Sequence, residues 1–147
     1  MATTEAMYRA AAVTLLTDCA TNASVNLQVY RGRPMSIFPP TGFVDSMSDE
    51  TPPFPGTSSL YQHNRLIEVV LIWGLFDSGE AVDQRDAFVQ AFHDWTRARV
   101  HSASAESLIG PRSLSDVPSF LPDWGSEAQR ETTYFATRIL LEGFATD

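Results

Sequence analysis

The stretch that decides the fold is Leu66-Ile67-Glu68-Val69-Val70-Leu71-Ile72-Trp73-Gly74-Leu75-Phe76. Successive side chains of a β-strand point to opposite faces of its sheet. Ile67, Val69, Leu71, Trp73 and Leu75 then share one face, while Val70, Ile72 and Phe76 share the other. A strand that is apolar on both sides needs cover on both, here from helices or from a neighbouring subunit. Its longest unbroken apolar run, Val69 to Phe76, is far too short to cross a bilayer as a helix.

Just downstream, Asp77-Ser78-Gly79-Glu80 has the spacing of a capping box with Asp77 as the cap, and it predicts a helix to about Val100. The apolar stripe of that helix is Val82, Phe88, Val89, Phe92 and Trp95. Glu80, Asp83 and Asp86 lie near its positive end, and Arg97 and Arg99 near its negative end, as the helix dipole favours. Further on, Thr133, Phe135, Thr137, Ile139 and Leu141 alternate with Tyr134, Ala136, Arg138 and Leu140. This predicts a long closing strand, expected to pair antiparallel with Leu66–Phe76.

Upstream, Met7, Ala11, Ala12, Leu15, Leu16 and Cys19 recur at helical spacing and predict a first helix from about Thr3 to Thr21. Val25, Leu27 and Val29 alternate with Asn26, Gln28 and Tyr30, the pattern of a half-buried strand. A short strand is expected over Phe43–Met47. Together these elements make an α+β fold: a small mixed, mainly antiparallel sheet flanked by two main helices, with long irregular loops, in a single domain spanning residues 1–147. A chain of this length buries about 70% of the surface that its unfolded form exposes.

Two segments break the periodicity. Ser48–Asn64 contains Pro52, Pro53 and Pro55, and His101–Arg130 contains Pro111, Pro118 and Pro122, with strand-like pieces only at Ser107–Ile109 and Ser119–Leu121. Long connections in a small domain are usually functional or disordered. Both are expected to be contact segments for other chains, through Pro52, Pro53, Phe54, Pro55 and Tyr61 in the first and Pro118, Phe120 and Trp124 in the second.

Composition narrows the function. Charged residues are 19% of the chain, against about 25% in an average domain, which suits a subunit better than a solitary monomer. All ten basic residues are Arg, which reads first as the codon bias of a GC-rich genome and second as interface enrichment. Eighteen acids give a formal charge of −8, which opposes any mode of DNA binding that grips phosphates. Cys19 is the single cysteine, expected to be a small buried apolar residue. The N-terminus has no signal-peptide pattern, so the protein is expected to be made in the cytosol with no membrane partner.

Chemical motifs are sparse. His63, His93 and His101 lack the i, i+4 spacing that sets two imidazoles on one metal. There is no nucleophile elbow, phosphate-binding loop or dinucleotide fingerprint. Neither a cofactor, a metal nor an enzyme activity is expected. Asp45, Asp49 and Glu50 form the densest acidic cluster but lack calcium-loop spacing and read as a solvated edge. The close pairs Arg31/Arg33 and Arg97/Arg99 read as ion-pair partners or helix-end charges. A competing reading is a small hydrolase or ligand-binding α+β domain, with Trp73, Trp95, Trp124 and His93 around an apolar pocket.

Several strings, taken in order, resemble the tail terminator family of siphophages. They are Val29-Tyr30-Arg31-Gly32-Arg33-Pro34, Gly42-Phe43-Val44-Asp45, Leu71-Ile72-Trp73-Gly74-Leu75-Phe76-Asp77, Gln84-Arg85-Asp86-Ala87-Phe88 and Tyr134-Phe135-Ala136-Thr137-Arg138-Ile139. The likeness runs from about Thr3 to the C-terminus and contains no catalytic signature. It implies a virion protein that closes as a homohexameric ring on the finished tail tube, stops tube growth and meets the head connector or stopper protein, with genomic DNA passing transiently through the lumen. Six copies would carry a formal −48, six times −8, and like charge keeps a duplex centred in a channel. In that setting Asp45, Asp49 and Glu50 are the candidate lumen acids. A head-closure or stopper neck protein is the alternative within the same assembly.

Overall fold

The computed structural model describes residues 5–50, 64–101 and 109–144. The elements run in the order α1 (Glu5–Asn22), β1 (Gln28–Tyr30), β2 (Thr41–Glu50), β3 (Asn64–Leu75), α2 (Gly79–His101), β4 (Ile109–Phe120), α3 (Glu127–Arg130) and β5 (Tyr134–Phe144). The strands form one sheet in the order β1-β2-β3-β5-β4, with only β1 and β2 parallel. The expected α+β fold, its mainly antiparallel sheet and its two main helices are all present. No helix among the described residues is long and apolar enough to cross a membrane.

β3 sits at the centre because it is apolar on both faces. Ile67, Val69, Leu71 and Trp73 join Val44, Ile139 and Leu141 on the face covered by α1 and α2. Tyr8, Leu15, Leu16 and Cys19 of α1, with Ala81, Phe88 and Phe92 of α2, complete this main core. Val70 and Ile72 point the other way, into a smaller cluster with Phe43, Tyr134, Ala136 and Ile37. The pairing of β3 with β5 runs from Asn64 opposite Phe144 to Leu75 opposite Tyr134, antiparallel as expected. A bulge between Ile72 and Gly74 interrupts the alternation there. Beyond it Leu75 and Phe76, expected on two covered faces, are both exposed.

Four expectations need correction. The cap of α2 is Ser78, whose Oγ accepts from Ala81 N at 3.3 Å, one residue later than the expected Asp77. Glu80 then falls too early to complete a box. Val82, placed on the apolar stripe, is exposed, and Ala81 is buried in its place. β2 runs to Glu50, longer than Phe43–Met47, so residues 48–50 are strand.

The largest correction concerns residues 109–130, expected to be irregular. Ile109–Phe120 is one twelve-residue strand, paired only with β5 and so at the sheet edge. Proline costs an edge strand no ladder bond when its missing N–H would face outward, and both prolines lie beside register shifts, at Pro111/Ser113 and Val117/Phe120. Residues 127–130 form α3 under a complete capping box from Ser126 and Gln129.

Candidate functional site

One end of the sheet, where β2 begins and β3 and β4 finish, carries several exposed large apolar side chains. Phe38 is 71% exposed there, Leu121 59%, Phe76 56% and Leu75 53%, and Met35, in the segment that leads to Phe38, is 94% exposed. A cleft of about 340 Å³ opens between Pro39–Pro40 and the start of α2, with Trp73 and Tyr134 in its lining and Ser78, Glu80 and Gln84 among its polar groups. A second cleft of about 270 Å³ lies between Tyr30, Phe38 and the same two prolines. The two therefore join Tyr30, Phe38, Pro39, Pro40 and Leu75 into one continuous apolar end. Large exposed apolar patches on a folded chain mark association surfaces.

The segment that presents Met35 and Phe38 is held by side chains from the far end of the chain. Gln129 accepts from Ile37 N at 3.2 Å through Oε1 and donates to Ile37 O at 2.7 Å through Nε2. Arg33 donates to Asp45 at 2.7 Å and to Asp123 at 3.0 Å. Its guanidinium also lies 4.7 Å from the ring centroid of Trp124. The hydrogen bond to Asp45, with the charges of Asp45 and Asp123, raises the Arg33 pKa further. Ile37, nearly fully buried, is the apolar anchor under this strap.

A second polar chain ties the main core to the edge strand. Trp73 Nε1 donates to Thr137 Oγ1 at 2.9 Å, and Thr137 Oγ1 donates to Asp116 Oδ1 at 2.9 Å. Arg85 of α2 closes on Asp116 with both Nε, at 3.0 Å, and Nη2, at 2.8 Å. Thr137 is fully buried, so each group in this chain is satisfied by the next, as burial requires. The chain fixes the indole of Trp73 and the position of β4 against α2.

The residues singled out from the sequence do not gather at one place. Asp45 lies at the β2 bulge and is bound to Arg33, whereas Asp49 and Glu50 are at the opposite end of the strand, opposite Arg65 and Asn64 in register. Phe120 and Trp124, offered as outward contacts, pack against the smaller core, with Trp124 edge-on to Phe43 at 5.2 Å and to Phe120 at 6.1 Å. Pro118 is exposed on the edge strand. Pro52, Pro53, Phe54, Pro55 and Tyr61 lie outside the described residues.

The four residues of the pocket reading are also apart. Trp73 is in the main core, Trp95 lines a groove between the end of α1 and α2, Trp124 is on the opposite face of the sheet, and His93 is exposed. Cys19 is buried, as expected, and its burial, helped by Asp18, pushes the thiol up to about 11. Among the described residues, no group of three or more His, Cys, Asp or Glu side chains could hold a metal ion. Met35, Phe38 and Leu121 escaped sequence reading because each lies in a short stretch beside a proline, with no periodicity to show which side chains face outward. No family model matches this chain, and no curated protein matches it.

Proposed function

We propose that this chain is a structural subunit of a siphophage virion that closes as a homohexameric ring on the end of the tail tube, ends tube growth and meets the head connector. The observation that most supports an assembly role is the set of exposed apolar residues Phe38, Leu75, Phe76 and Leu121 at one end of the sheet. A monomer leaves so much apolar surface in water only at a cost, and contact with another chain removes it. The resemblance of the strings around Arg31–Pro34, Leu71–Asp77 and Tyr134–Ile139 then supplies the setting.

A ring of identical subunits needs two different surfaces on each, joined head to tail. Glu50 pairs with Asn64 at the end of the sheet opposite the apolar patch, and Pro52–Pro55 and Tyr61 of the intervening sequence are the candidates for one surface. With Asp45 held by Arg33, Asp49 and Glu50 remain as the candidate lumen acids. Native mass spectrometry of the purified chain with and without tail tube protein, followed by electron microscopy of tails, tests this. Six-fold rings at the head-proximal tip of the tube are expected. A chain that stays monomeric with tube ends present and never enters virions would rule the reading out.

A further inference from the structure

The cleft of about 340 Å³ beside the start of α2 holds polar groups that the rest of the subunit does not use. Tyr134 lines it and is only 6% exposed, yet its hydroxyl has no hydrogen-bond partner among the described residues and is not sealed from the surface. The side-chain amide of Gln84 is unpartnered among those residues too. Ser78 Oγ accepts from Ala81 N, which leaves its own proton to donate. These donors stand beside walls of Pro39, Pro40 and Leu75. Buried polar groups call for partners, so the cleft suits an occupant that brings carbonyl oxygens and small apolar rings. A proline-rich stretch is such an occupant, because each proline keeps its carbonyl and lacks an N–H, and aromatic-lined grooves take such stretches in extended form.

Outside the described residues, the sequence holds one proline-rich stretch, Thr51-Pro52-Pro53-Phe54-Pro55-Gly56. From 51 to 63 there is no Asp or Glu, so exposed Glu80 at the cleft repels nothing in that segment. The stretch cannot reach the cleft of its own subunit. Pro55 is five residues beyond Glu50, a span of at most about 18 Å. Leu75, in the cleft, is eleven residues along β3 from Asn64, the partner of Glu50, and so lies about 35 Å away. We propose that the cleft receives residues 52–55 of a second copy, so that one end of each subunit grips the opposite end of the next. This rests on the assembly reading above and deepens it, by naming the two surfaces that meet. The contact is head to tail, as a closed ring requires.

The test uses the full chain, a peptide of residues 50–61, and the same peptide with alanine at its three prolines. The receptor carries Pro52→Ala, Pro53→Ala and Pro55→Ala, so that no neighbour competes for its cleft. It should bind the natural peptide at least about tenfold more tightly than the alanine peptide. Adding Tyr134→Phe and Gln84→Ala to the receptor should weaken the natural peptide about fivefold or more, through two lost hydrogen bonds. Circular dichroism and thermal midpoints confirm that each variant folds. In native mass spectrometry, the proline variant and the Tyr134→Phe/Gln84→Ala variant should each lose copy–copy assembly. Mixed together they should stop at one-to-one pairs, since a single intact contact is left between them. Equal binding of the two peptides, or binding indifferent to Tyr134→Phe and Gln84→Ala, overturns the inference. A cleft that takes tail tube protein and not the peptide overturns it as well. Rings of unchanged stability in the proline variant that still cap tails would sink it and leave the tail reading standing. Copies that join through the cleft but never enter virions would do the reverse.

Discussion

The two faces of the sheet are closed by different means. On one, two long helices bury Leu16, Phe88, Trp73, Ile67 and Leu141 in a continuous apolar layer. On the other, a short strap and a one-turn helix cover only Phe43, Val70, Ile72, Tyr134 and Ala136, and polar side chains from Arg33 and Gln129 do the fastening. Toward the far end of that second face, Glu68 pairs with Arg138 and Arg112 with Glu142, so that half needs no apolar cover. The helix face secures the fold, while the strap face positions a surface for use.

That contrast predicts a graded series. Trp73→Ala empties the centre of the helix face and leaves Thr137 without its donor, so a loss of about 3–5 kcal/mol is expected in urea unfolding. Ile37→Ala strikes the smaller cluster and should cost about 2–4 kcal/mol. Equal or reversed effects would show that the two faces are not ranked in this way.

Cys19 gives a chemical handle on the helix face. Its folded thiol holds its proton to about 11, against an ordinary value of 9.0. Little is lost below pH 9; from there upward the unfolded chain ionises first and stability falls, by about 2 kcal/mol at pH 11. Denaturant midpoints across pH 8 to 11 check this, and Cys19→Ala should flatten the added slope. Smallest of the series is Gln129→Ala, which removes both clips on Ile37 and should cost about 1–2 kcal/mol. Altered Trp124 fluorescence without loss of helical circular dichroism would place that change on the strap face alone.

Much of the helix face was legible because period alone marks it. The doubly apolar run 66–76, the alternation after Thr133 and the repeat through Leu15, Leu16 and Cys19 each recover an element close to its observed bounds. The edge strand was not legible. Pro111 and Pro118 read as breakers, and only its place at the sheet margin makes them tolerable. α3 carried a usable signal in Ser126 and Gln129, three residues apart, masked by the prolines before it. The apolar end was the least legible feature, since it is assembled from the 31–40 strap, the β3 terminus and the residue after β4, which share no local pattern.

The position of β5 has a consequence for how the protein is made. This last strand of the described chain lies inside the sheet, between β3 and β4. Its Gly143 is the floor for Tyr8, because a Cβ there would sit 2.6 Å from the Tyr8 ring. α1 therefore cannot reach its final seat until residue 143 has left the ribosome, and β3 and β4 are not joined in one sheet before β5 is made. A prematurely terminated product lacks the strand that joins its two halves. It should be cleared as an unfolded chain instead of poisoning an assembly with a half-built subunit.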